Sequence, residues 1–402
     1  MNVLFLTLSR VYGINEHDIY QDLVREFLNA GHSIYVVTPS EKHNGLQTSI
    51  LDSCGCKILR VRVGNQSNCS FIEKGISTIT IGRDYQNAIK SYFKNIRFDL
   101  ILYSTPPVTL ISLVKKLKKK YSANTYLMLK DIFPQNAVDI GIMSGAGPIY
   151  FYFRMLEKKL YAISDHIGCM SPANVDYLLK HNKTDAKKIN ICANAITPAM
   201  VDIESCIDHK KAKKANGIPD DACVFVYGGN LGKPQGIDFM LRCIDAISND
   251  SRVFLLIIGD GSEFGKLEKY VEDSGPSNIR LYKRLPRDEY FSLIKCADVG
   301  MVFLDHRFTI PNFPSRILPY MENYMPIACV TDDISDVGCI AEENGFGWKC
   351  SSDDVSSFVN MMEKVLISDL NVMGKKARKY LENNYSASEC YESIVSALED
   401  KE

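Results

Sequence analysis

"VFVYGGNLGKPQGIDFML", residues 224–241, decides the fold. Four apolar residues run straight into Gly228 and Gly229, Gly232 and Gly236 follow, and an amphipathic segment opens at Ile237. Glycines at the C-terminal end of a buried strand let the backbone approach a bulky anion and present N–H groups to it. The helix that follows adds its positive end. Asn230, Lys233 and Gln235 lie among these glycines and are candidates to hold phosphate oxygens. Turns in α/β proteins favour glycine in any case. Four glycines within nine residues, beside a lysine, point further, to a ligand.

The same alternation of strand and helix extends in both directions. "NVLFLTLS" is a short buried strand, "RVYGINEH" a polar loop, and the next segment repeats Ile19, Leu23 and Phe27 every four residues until Gly31 stops it. "SIYVVTP", "FDLILYSTPP", "NTYLMLKDIFP" and "DHIGCMSP" continue the pattern. Residues 206–216, polar and basic, read as a linker, after which "ACVFVYGG", "VFLLIIGDG", "NIRLYKR", "ADVGMVFL" and "PIACVT" restart it. Such βαβ repeats imply parallel sheets with right-handed crossovers. The expected architecture is α/β, with two doubly wound Rossmann-like domains facing across a cleft. Ligands of such sheets sit beyond the strand C-termini.

Length and composition agree with this division. A chain of 402 residues is too long for one ordinary core, and 46% hydrophobic with 24% charged residues describes a globular protein. No targeting segment is evident, and no apolar run approaches the ~20 residues of a membrane span. The thirteen cysteines are scattered, several inside apolar runs, which suits reduced thiols and a cytoplasmic location. They do not have zinc-site spacing, and the seven histidines do not cluster. The net charge of −1 conceals a split: residues 1–205 carry 24 Lys and Arg against 17 Asp and Glu, so the second half is acidic. A basic half faces an anionic partner. Within it, Lys115, Lys116, Lys118, Lys119 and Lys120 crowd one segment. They suit either a helix C-terminus that offsets the macrodipole or a patch docking on acidic lipid.

Two further segments supply cations. Arg284 follows the strand in "LYKRLPRDEYF". In "IPNFPSRILPYMENYMPIACV", Ser315 reads as the N-cap of a helix running toward Tyr324. Arg316 then places a guanidinium in the first turn, where it opposes the macrodipole unless an anion binds there. A dinucleotide site is disfavoured, because neither glycine cluster has the G-x-G-x-x-G spacing or the acidic residue about 20 positions on. No Asp-x-Asp occurs, and the Asp pairs at 220–221, 332–333 and 353–354 read as caps or turns. A metal-clamped diphosphate is therefore not expected.

The order of these segments resembles the retaining, GT-B-fold glycosyltransferases of family 4, also called group 1, over nearly the whole chain. The resemblance rests on "YGGNLGKPQGIDFML", "LLIIGDGSEFGKLE" and "FPSRILPYMENYMPI" in the second half. In the first half it rests on "LNAGHSIYVVTP", "LYSTPPV" and "LKDIFPQNAVDIGIM". "YSTPP" and "KDIFPQNAVDIG" together with "PSR" are most similar to the transferases of N-acetyl-L-fucosamine in O-antigen and capsule assembly. This implies an acceptor-binding domain (1–205), a nucleotide-sugar domain (206–385) and a terminal helix (386–402) returning to the first. It implies metal-free transfer, without a cofactor, from a UDP-sugar to a saccharide on undecaprenyl diphosphate. The enzyme would work as a peripheral protein on the cytoplasmic face of the inner membrane, with no nucleic acid involved.

Carried over residue by residue, the resemblance makes Asp131 the group facing donor sugar and acceptor, a position where capping of the next turn is an equal reading. It puts Ser104 and Thr105 on the acceptor side. Arg316 and the backbone at Gly229 and Asn230 would face the diphosphate. The loop Tyr12–His17 would face the cleft, with Gly13 allowing close approach and His17 either catalytic or a solvated helix start. The family's Glu-x7-Glu is missing: its second glutamate aligns with Pro319 and its first falls near Pro311. Glu322, one turn on, is the candidate substitute. The family's diphosphate lysine and arginine align with Gln235 and Asn230, leaving Lys233, Arg284 and Arg316 to supply charge. The competing readings are a UDP-sugar 2-epimerase of the same fold and a transferase using another hexose donor.

Overall fold

In the computed structural model, which describes residues 1–67, 69–200 and 209–399, the chain forms two compact units. One comprises Met1–Thr197 with the chain from Ser386 on, the other Pro198–Tyr385. The junction thus falls at 197/198, against the 205/206 read from the sequence; residues 201–208 lie outside the described residues. The stretch read as a linker, 206–216, includes a helix, Lys210–Ala215, that belongs to the second unit. Lys213 on it is buried and donates to Asp298 and to the Ala222 carbonyl, at 2.8 and 3.0 Å. One lysine of this basic stretch is therefore an anchor.

Eight strands of the first unit are described: β1 (Asn2–Leu6), β2 (Ser33–Glu41), β3 (Ser49–Ser53), β4 (Cys56–Val63), β5 (Leu100–Ser104), β6 (Asn124–Leu129), β7 (His166–Cys169) and β8 (Ile189–Ile191). Their order is β3-β4-β2-β1-β5-β6-β7-β8, parallel except for β3 on β4. The second unit holds β9 (Cys223–Asn230), β10 (Val253–Asp260), β11 (Ile279–Tyr282), β12 (Val299–Phe303), β13 (Ile327–Thr331) and β14 (Gly347–Ser351), all parallel in the order β11-β10-β9-β12-β13-β14. Strands such as "VLFL" and "VFVY" are apolar at consecutive positions because helices cover both faces of each sheet.

In each sheet the strand order reverses beside the first strand, between β1 and β5 and between β9 and β12. Loops diverge to opposite faces there and leave a crevice at the strand C-termini. The last helix, Ala387–Glu399, packs on helix Ile19–Asn29. Tyr391 meets Phe27 edge-on at 4.9 Å and hydrogen-bonds His32 Nε2 at 3.0 Å. No helix among the described residues is long and apolar enough to cross a membrane.

Candidate active site

In the second unit, close strand approach shapes the site. Gly229 pairs with Gly259 in the parallel ladder, and a Cβ on Gly259 would come within 1.9 Å of the Gly229 carbonyl oxygen. Gly229 itself has φ +130, a conformation open to glycine. Gly300 on β12 leaves room for the Tyr320 ring, which a Cβ there would strike at 2.3 Å. So seated, the Tyr320 hydroxyl accepts the Gly228 N–H at 2.8 Å and docks the short helix Ile317–Glu322 against the end of β9. Arg316, just before that helix, lies over the Tyr227 ring with Cζ 4.4 Å from its centroid and donates Nη1 to the Gly228 carbonyl at 3.2 Å.

A cavity of about 530 Å³ opens here, lined by Gly228, Gly229, Asp260, Arg284, Tyr290 and Arg316, with Ile258, Gly259, Leu285 and Pro319. Of the donor-side candidates, the structure brings together Gly229, Arg284 and Arg316. Asn230, Lys233, Gln235 and Ser315 are not among its lining residues. Gln235 is buried, and its Oε1 accepts from Asn230 Nδ2 at 2.8 Å and Gly232 N–H at 3.1 Å. These two amides brace the glycine turn. Lys233 is exposed beside them.

Three readings need correction. Arg316, not Ser315, occupies the N-cap, and the amides of Ile317 and Leu318 already bond the Pro314 and Ser315 carbonyls, so this helix start offers few free N–H groups. The helix ends at Glu322, short of Tyr324. Glu322 is no ribose ligand: it is buried, and its Oε1 accepts the Ala199 N–H at 2.8 Å.

The first unit has its own cavity, about 380 Å³, at the β1/β5 reversal. Asp131 and Lys130 after β6, Ser104 and Thr105 at the end of β5, Ser9 after β1, Asp18 and Tyr20 at the next helix start, and Asn194 all line it. Thr105 donates Oγ1 to the Asp131 carbonyl at 3.3 Å, joining the two loops. Asp131 is exposed toward the cavity while protein crowds its other sides. That desolvation pushes its carboxyl up to about 6, against the opposing pull of the Lys130 ammonium. A carboxyl held there shares a proton readily near neutral pH. It is not a cap: Gln135–Asp139, the next helix, starts after Pro134.

His17 and Gly13 do not join this cavity. His17 Nδ1 lies 3.0 Å from Asp22, a buried carboxylate that also pairs with Arg25 and accepts the Thr197 N–H at 2.6 Å. Gly13 rests against β3, where Ser53 Oγ accepts the Ile14 N–H at 3.2 Å. Val11 and Ile14 enter the core and turn the loop that way. Of the lysine cluster, Lys118 pairs with Asp165 at 2.8 Å, Lys120 lies over Tyr121, and Lys116 donates to Gln86. Lys115, Lys116, Lys119 and Lys120 are exposed. Sequence reading missed Asp18, Tyr20, Lys130, Asn194, Asp260 and Tyr290. Asp18 is legible as the Asp N-cap of helix Ile19–Asn29 and Lys130 as the neighbour of Asp131; the others carry no local signal.

Residues 208–386 match the family model described as glycosyl transferases group 1. The chain is 26% identical over 293 residues, 72% of each chain, to a probable glycosyltransferase, WbjE, of Pseudomonas aeruginosa. It is 22% identical over 250 residues, 58% of this chain and 60% of the relative, to a UDP-Gal:alpha-D-GlcNAc-diphosphoundecaprenol alpha-1,3-galactosyltransferase of Escherichia coli. Among solved structures, Anabaena HepE in complex with UDP superposes with a TM-score of 0.67 over 100% of both chains at 11% identity, a likeness of fold.

Proposed function

Starting from a glycosyltransferase of GT-B fold whose residues 208–386 match the group 1 model, we propose a specific reaction for it. It moves N-acetyl-L-fucosamine, or a close N-acetylated deoxysugar, from UDP to a saccharide on undecaprenyl diphosphate, in O-antigen or capsular polysaccharide assembly. The observation that carries this reading is the β9 crevice, where Arg316 and Arg284 meet a strand end stripped of side chains. A relative that takes UDP-Gal and an undecaprenol diphosphate acceptor, and a fold neighbour that holds UDP, support the same substrate classes. The sugar rests on the subfamily resemblance and on the missing Glu-x7-Glu, which suits a donor not gripped through gluco-configured hydroxyls.

Transfer retains the anomeric configuration and uses no metal. As the bond to the diphosphate breaks, negative charge grows on the leaving oxygens, and the Arg316 fork and Arg284 stabilise it in place of a cation. The acceptor hydroxyl attacks from the face the diphosphate leaves, passing its proton to a departing phosphate oxygen. Asp131, Ser104 and Thr105 orient the acceptor. The enzyme works at the cytoplasmic face of a membrane, where its lipid acceptor resides. The test is incubation with lipid-diphosphate GlcNAc and a panel of UDP- and GDP-sugars, without metal, reading the lipid product by mass spectrometry. Product from a hexose donor and none from UDP-N-acetyl-L-fucosamine would end the sugar assignment and leave the transferase.

A further inference from the structure

Helix Pro148–Ile163 turns Glu157, Leu160 and Tyr161 into the first unit and seats Phe153 edge-on against Phe133 at 5.1 Å. Its opposite face is apolar as well. Ile149, Phe151, Tyr152 and Met155 are 57, 61, 43 and 42% exposed, and Ile142 in the preceding turn is 52% exposed. A surface helix ordinarily carries charge there. Along this face charge starts only in the third turn, with exposed Lys158 and Lys159. Contiguous exposed apolar surface of this kind marks an interaction site.

Beside that third turn lies a cavity of about 500 Å³. Lys158, Lys180, Lys183, His181, Asn182 and Thr184 line it, and none of its described lining residues is acidic. The nearest carboxylate along the helix, Glu157, is buried and paired with Arg154. Arg154 also donates Nη2 to the His181 carbonyl at 2.9 Å, tying the end of helix Pro172–His181 to this one and holding the cavity in shape. The Asn182 amide has neither polar atom hydrogen-bonded. An apolar stripe alone fits many partners, and a basic cavity alone fits any anion. Side by side, they fit an amphiphile whose phosphate lies next to its acyl chains.

We propose that this face seats an anionic phospholipid bilayer. Ile149, Phe151, Tyr152 and Met155 enter the headgroup–acyl boundary, and a lipid phosphate sits among Lys158, Lys180 and Lys183. The assignment rests on the membrane partnership proposed above and moves its seat away from the 115–120 cluster, where Lys118 pairs with Asp165 while the exposed Lys116 and Lys120 donate to Gln86 and the Tyr121 hydroxyl.

Co-sedimentation with phosphatidylcholine vesicles, with and without phosphatidylglycerol, tests it. Wild type should pellet with the anionic vesicles. A Phe151→Glu, Met155→Glu variant should lose at least about tenfold in partition coefficient. A Lys158→Ala, Lys180→Ala, Lys183→Ala variant should lose about a hundredfold at low salt. Both should keep wild-type donor hydrolysis, which shows that they fold. If both bind as wild type while Lys115→Ala, Lys116→Ala, Lys119→Ala releases the protein, the seat is the lysine cluster and the proposal falls. Release of the wild type by millimolar inorganic phosphate at constant ionic strength overturns it in favour of a soluble anion site. No wild-type binding to any vesicle removes the membrane partnership itself.

Discussion

Replacing Arg316 by alanine should slow the chemical step far more than it weakens donor binding. The guanidinium stacks 4.4 Å from the Tyr227 centroid and spends one donor on the Gly228 carbonyl. It lines a crevice whose one acidic side chain among the described lining residues is Asp260, whose Oδ1 accepts the Gly261 N–H. A charge-assisted hydrogen bond contributes about 1.5–3 kcal/mol, and losing a preorganised donor to growing negative charge costs about 3 kcal/mol. At 1.36 kcal/mol per factor of ten, kcat should fall roughly a hundredfold. Donor KM should move only a fewfold, because the ground-state diphosphate keeps Arg284 and the strand-end backbone. Arg316→Lys keeps a point charge but loses the fork and the flat stack, so about tenfold of the loss should remain. Removing the stack should also lower the melting temperature by about 2–4 °C, the shift that about 1 kcal/mol causes in a unit of this size. The assay is steady-state UDP release with the lipid acceptor saturating. A KM effect at unchanged kcat would show that Arg316 acts in the ground state alone. Loss of stability at unchanged kcat and KM would reduce it to a brace for Tyr227.

Asp131→Asn should raise the melting temperature at pH 7.5. The folded carboxyl is raised from 3.8 to about 6 by desolvation, so its contribution is whole below about pH 4 and is lost as pH climbs through 6. The wild-type deficit should therefore shrink on acidification, and a pH-independent difference would contradict the assignment. Gly259→Ala should cost about 1–3 kcal/mol or more and abolish donor binding, since its Cβ would drive β9 and β10 apart. Gly265→Ala, in open space on helix Phe264–Ser274, should be neutral or stabilising, and calorimetry compares the two. Glu322→Ala should destabilise by about 1–3 kcal/mol through the orphaned Ala199 amide, with unchanged donor KM in the folded fraction; a raised KM would restore a ribose role. UDP should raise the melting temperature more than GDP does with magnesium absent, and the reverse order would overturn the uridine assignment.

Whereas β3, β4, β8 and β14 were not read, ten of the fourteen described strands, the two doubly wound sheets and the glycine-rich turn at a strand end were legible in the sequence. They depend on local period, glycine placement and apolar runs, which survive in one dimension. The glycine-rich turn after β9 and "PSR" also pointed to Gly229 and Arg316, which line one cavity, because a backbone without Cβ and a misplaced first-turn cation are local anomalies. What a polar side chain does is decided by its neighbours in space. Gln235 braces Asn230, Glu322 serves Ala199, His17 is held by Asp22, and Lys213 is drawn to Asp298 across 85 residues of chain. None of these partners is visible from spacing, since long side chains rotate freely until packing fixes their partners. Tertiary structure also supplied Lys130, Tyr20 and Asn194 beside Asp131, from two separate strand ends and one helix start. Convergence at the C-terminal edge of a parallel sheet is a property of topology: residues far apart along the chain meet there because the crossovers return every strand in the same direction.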